Sequence, residues 1–158
     1  MNWIQLITGF LSAVLVAVIT SVLTVRLALR RFYSEKWWER KISAYTEIIK
    51  SLHHVREHAE TNLQFSLLQK DLPEEGEKRL TSEMQEAIGQ LRLHRDLGIL
   101  VVSNEAVDLL NILFAELDAS TRTQSWHNHL EMKLEAVDKC LSKMRQVARK
   151  ELNVGSAL

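Results

Sequence analysis

Two histidines four residues apart, with a glutamate beside the second, form the most chemically suggestive spacing in the chain. His54, Glu57 and His58 lie in an H-x-x-E-H pattern. On a helix, positions i and i+4 share a face, so both imidazoles could bind a zinc ion while Glu57 polarises a water, the arrangement of a zinc-dependent hydrolase. Glu131 or Glu135 could add a distant third ligand, and His127 and His129 fall in the same late segment. Helix geometry weakens this reading. His54 lies about 200° round the axis from Leu52, away from the stripe of Leu52, Val55 and Ala59. The pair is therefore expected to face solvent rather than a dry cavity. His54 and His58 remain the metal candidates, and neither a catalytic residue nor a cofactor is predicted. His94 reads as a satisfied bundle residue.

Other chemistry is sparser. The chain has no G-x-G-x-x-G, no P-loop and no G-x-S-x-G. It also lacks the Glu-x-x-His pairs of a di-iron bundle. Cys140 falls inside a helical stripe and reads as a small buried thiol; a single cysteine cannot form an intrachain disulfide. The 158 residues carry 20 basic and 20 acidic side chains, and that balance argues against a non-specific nucleic-acid binder. A hydrophobic fraction of 46% argues against a disordered chain. One proline and five glycines leave few turns, so the elements that position these residues must be long helices.

Four helical segments follow from the apolar spacing. Trp38, Ile42, Tyr45, Ile49 and Leu52 repeat at 4-3-4-3, and Val55, Ala59, Leu63 and Leu67 continue the stripe, which predicts a first bundle helix over about 34–70. Pro73 and Gly76 interrupt the pattern. Leu80, Met84, Ile88 and Leu91 start a second helix that fades near Leu97 into an apolar connector, 97–102. Ser103 or Asn104 can cap a third helix carrying Val107, Leu110, Leu113 or Phe114, and Leu117. A polar loop over 119–125 precedes a fourth, with Trp126, Leu130, Leu134, Val137, Leu141, Met144 and Ala148 on one face. No segment alternates with period 2, so no sheet is expected. Short connections make the expected fold class an all-α, antiparallel four-helix bundle.

Ahead of the bundle, no Asp, Glu, Lys or Arg occurs before Arg26. The 23 residues from Trp3 to Val25 would extend about 34 Å as a helix, so the sequence predicts an N-terminal transmembrane helix. Arg26, Arg30 and Arg31 follow it, which by the positive-inside bias puts the N-terminus outside and the remainder in the cytoplasm. Gly9, Ala13, Ala17 and Ser21 recur every four residues, a face on which two such helices can approach closely and self-associate, with Thr20 and Thr24 placed to add hydrogen bonds. Lys143, Arg145, Arg149 and Lys150 crowd the end of the last helix and, with the first basic cluster, are expected at the surface of the lipid bilayer. The zero net charge is thus an average: residues 26–41 carry +4, residues 42–118 carry −7 and residues 119–158 carry +3.

Phe32 to Lys41 (FYSEKWWERK) and Val101 to Val107 (VVSNEAV) resemble strings in a group of bacterial membrane-anchored proteins with one N-terminal span and a helical cytoplasmic part. The resemblance implies a bacterial inner-membrane location and supplies no functional residue. The domain reading is a span and basic flank over 1–30, a bundle over 31–152 and a frayed tail over 153–158. The function expected is that of a single-pass membrane protein, not an enzyme, which self-associates into a homo-oligomer and presents its bundle to a cytoplasmic protein partner, without nucleic acid. A membrane-perturbing effector, anti-phage or toxin-like, is the alternative, followed by the zinc hydrolase.

Overall fold

The computed structural model describes residues 3–122 and 125–153, apart from the side chains of residues 4–15 and 99. Among the described residues the chain is all-α, as its periodicities require. Helix α1 spans Trp3–Leu67, α2 Glu74–Leu97, α3 Asn104–Ser120 and α4 Trp126–Glu151, with a 3-10 turn at Gly98–Leu100. No strand occurs among them. Two compact units divide the chain inside α1: Met1–Glu39 and Arg40–Leu158.

In the second unit, the helices enclose one core built from Tyr45, Ile48, Leu52, Leu91, Leu110, Leu113, Val137 and Met144. Three sets of contacts give the direction of packing. Lys41 bonds Glu151 while Arg56 bonds Asp138, so α1 and α4 run antiparallel. His94 meets Glu47 and His54 approaches Glu83, which makes α1 and α2 antiparallel. Lys139 bonds Glu116 and Lys150 faces Glu105, which does the same for α3 and α4. Ser103 is the cap of α3, its hydroxyl accepting from the Ala106 amide at 3.3 Å. The Tyr45 hydroxyl lies 3.2 Å from the Ser103 hydroxyl and accepts from the Ser103 amide at 3.3 Å, tying α1 to the start of α3. The apolar connector becomes the 3-10 turn. A Cβ on Gly98 would come within 3.1 Å of methyl groups of both Val102 and Val107, so a larger residue there would press on both side chains.

Several expectations shift. The buried α1 stripe is Tyr45, Ile48, Leu52, Val55 and Ala59, with Ile48 inside and Ile49 only partly buried. Ala44, Ser51 and His58, spaced by seven, widen it. Trp38, expected in the core, is 51% exposed because the core begins only at Ala44; Trp126 is likewise exposed and stacks on His129 instead. Helix α3 runs on through Ser120, whose hydroxyl donates to the Leu117 carbonyl at 2.7 Å. Helix α1 ends at Leu67, with Gln69 at φ 49° and the Lys70 amide reaching back to Phe65, so Gly76 lies inside α2 rather than before it. Of the tail, 154–158 lie outside the described residues.

The N-terminal unit corrects a larger expectation. Among the described residues, no helix is long and apolar enough to cross a membrane. The uncharged stretch of α1 ends at Val25. Arg26, Arg30, Arg31, Glu35 and Lys36 then follow in quick succession. The transmembrane helix and the inner-membrane location with the N-terminus outside are therefore not upheld. What the unit does show is apolar surface in the open: Val16, Val18, Ile19, Val22, Leu23, Val25, Leu27 and Leu29 are 48–66% exposed.

Candidate functional site

One turn of α1 separates His54 from His58, and the fold sends them to different places. His54 faces α2. Its Nδ1 is 3.9 Å from a carboxylate oxygen of Glu57 and 3.9 Å from one of Glu83, and this buried ring nitrogen has no hydrogen-bond partner. The three ligand atoms lie within 4.8 Å of one another and could hold a divalent cation. Glu83, and neither Glu131 nor Glu135, completes the set. All three side chains are 30–40% exposed, and His54 and Glu83 line an open pocket of about 330 Å³ with Glu47, Lys50 and Glu86. Such a site is wet and makes a weak chelate, poorly suited to activating a water in a dry cavity.

His58 does not join that cluster. It is 7% exposed, although its position off the main stripe predicted solvent, because α4 packs against this broader face of α1. Its Nδ1 lies 3.5 Å from the Lys133 ammonium nitrogen. Burial pushes the imidazole pKa down to about 4, and the positive neighbours Lys133 and His129 add to the effect. The ring is therefore neutral near pH 7. Lys133 is itself 7% exposed, and burial lowers its pKa. No carboxylate pairs with it among the described residues.

Sequence reasoning missed Lys133, yet a signal was present. Leu130, Lys133, Val137, Cys140, Met144 and Val147 repeat at strict 3-4 spacing, and all are buried. Taking Leu134 as the core residue of that turn hid the single charge in the stripe. Ordinary core chemistry surrounds it. Cys140 is a buried thiol, as expected, with burial pushing its pKa up to about 12. Arg56 donates to Asp138 at 2.6 Å, and that bond raises the guanidinium pKa.

The remaining predicted residues can be placed individually. Arg26, Arg30 and Arg31 are exposed in the first unit, and Lys143, Arg145, Arg149 and Lys150 are exposed on α4. Lys150 lies 3.7 Å from Glu105, and the others form a solvated basic face. Ala17 and Ser21 are exposed, whereas Gly9 and Ala13 lie outside the residues with described side chains. The hydroxyls of Thr20, Ser21 and Thr24 each donate to the carbonyl four residues earlier at 2.8 Å. No protein-family model, curated protein or solved structure matches the chain.

Proposed function

We propose that the protein is a non-enzymatic interaction module that self-associates through the N-terminal part of α1 and presents its helical bundle to a protein partner. The observation that carries this reading is the run of exposed aliphatic side chains from Val16 to Leu29. Apolar surface on that scale is unfavourable in water and marks a place where something docks. No charged residue occurs from Val16 to Val25, so the occupant must offer an equally uncharged apolar surface. A second copy of the same helix does so and makes a self-complementary pair. Ala17 and Ser21 provide low relief for close approach, and the Ser21 hydroxyl is already satisfied within its helix. The bundle then serves as the presented element, with its acidic turn near Glu74, Glu75 and Glu77 as a candidate partner surface.

Cysteine crosslinking tests this. Cys140 is buried with a raised pKa, so the native thiol stays silent under mild oxidation. Single cysteines scanned through positions 16–25 of the full chain should form disulfide dimers with a helical period, strongest at Ala17→Cys and Ser21→Cys. Dimer yield that is absent throughout, or flat with position, would overturn the reading.

A further inference from the structure

Lys133 does more than approach His58. It also lines a cavity of about 280 Å³ among α2, α3 and α4. Ile88, Phe114 and Leu117 give this cavity apolar surface, and Arg92, His129 and Lys133 add polar side chains to its lining. Arg92 lies 5.9 Å from the Phe114 ring centre and makes no ion pair among the described residues. Asp118 also lines the space, but its carboxylate is held by Arg122 at 2.6 Å. His129 is anchored through Nδ1 to the Ser120 carbonyl at 3.0 Å and stacks on Trp126.

A buried ammonium without a counter-charge is costly to desolvate. Here the cost is left standing beside an open space that could admit an anion. The composition of the lining selects further: it holds two cations with no ion pair among the described residues and three large apolar side chains. A small inorganic anion would leave the apolar lining uncovered, and an apolar molecule would leave the ammonium without a counter-charge. We propose that this cavity binds a small amphipathic carboxylate, its head group on Lys133 and Arg92 and its aliphatic tail against Ile88, Phe114 and Leu117. His58 backs Lys133 and acts as a positioning residue. The inference is independent of self-association through α1.

The test is calorimetric titration of the full chain with octanoate, octanol and octyl phosphate at neutral pH. Octanoate is expected to bind once per chain. Octanol should bind at least about tenfold more weakly, since it lacks the charge-assisted bonds. Lys133→Met should lose about tenfold or more in octanoate affinity while still unfolding cooperatively, because methionine keeps the length of the side chain and removes the buried charge. Leu117→Trp should fill the cavity and abolish binding. Equal uptake of octanoate and octanol, or unchanged octanoate binding by Lys133→Met, would mean that aliphatic chains merely coat exposed apolar surface, and would overturn the proposal. Tighter binding of octyl phosphate would overturn the carboxylate head, and no octanoate binding at millimolar concentration would overturn the site.

Discussion

The two units of this chain use the same aliphatic residues in opposite ways. From Arg40 onward a core set of aliphatic residues is drawn inward, and Leu52, Val55, Leu110, Leu113 and Val137 are completely buried, while Leu67, Leu93 and Ile112 stay exposed. From Val16 to Leu29, in the first unit, the same residue types stand about half exposed along α1. The difference lies in patterning. Residues 40–67 alternate an apolar stripe with charges, so one face can be satisfied within the chain. Residues 16–25 carry no charge on any face, and neighbouring helices of one small domain cannot cover every face of such a segment. The first unit is therefore read as an incomplete surface and the second as a self-sufficient fold.

Truncating a core leucine should give the largest effect on this comparison. Leu110→Ala is expected to destabilise the bundle by about 3 kcal/mol, measured by urea unfolding, while Leu23→Ala leaves that transition within about 0.5 kcal/mol. A comparable loss from both would mean that the two units share a core.

The buried His58 gives the next effect, through pH. Its folded pKa of about 4 lies below the ordinary value of 6.5, so the unfolded chain takes up a proton in that window and the folded chain does not. Stability should fall as pH drops from about 6.5 towards 4. The His58→Gln variant should escape about 2 kcal/mol of that loss. Matching pH profiles for variant and parent would contradict the burial assigned to this side chain.

Smaller again, Lys133→Met should stabilise the protein at pH 7 by about 1–2 kcal/mol in the absence of ligand, since a buried ammonium without a counter-charge is exchanged for an apolar chain. A loss of stability would show that the ammonium has a compensating partner. Tyr45→Phe should cost about 1 kcal/mol by removing the contact with Ser103, with no effect on self-association. At the bottom of the scale, Lys78→Ala should change stability by less than about 0.5 kcal/mol, because its pair with Glu74 is fully in solvent.

The helical bundle was legible because several levels of the sequence agreed on it. Ser103 capped where a cap was wanted, Leu110 and Leu113 kept the helical period, and Pro73 separated two stripes. The stripe of α1 was less legible. A helix contacted by more than one neighbour buries a wider face than an a/d count selects, which brought in Ser51 and His58 and left Trp38 outside. The candidate cavity was least legible. Lysine reads as a surface residue by default, and its burial became visible only once α4 packed against α1 and α3. The metal pattern of His54 and His58 failed for a related reason: spacing puts two side chains near one helix face, but the neighbouring helices decide what each one meets. The run before Arg26 was read correctly as apolar and incorrectly as a span, since composition alone does not say what covers it.

The central claim is that the exposed apolar part of α1 is covered by a second copy of the chain. Sedimentation equilibrium of the full-length protein, alone and with Ile19→Glu and Leu23→Glu combined, tests it most directly. The account predicts a mass that is a multiple of 18.2 kDa for the natural sequence, and the single-chain mass for the doubly substituted one with its bundle still folded. A single-chain mass for the natural sequence, or an assembly that survives both charges, would contradict it.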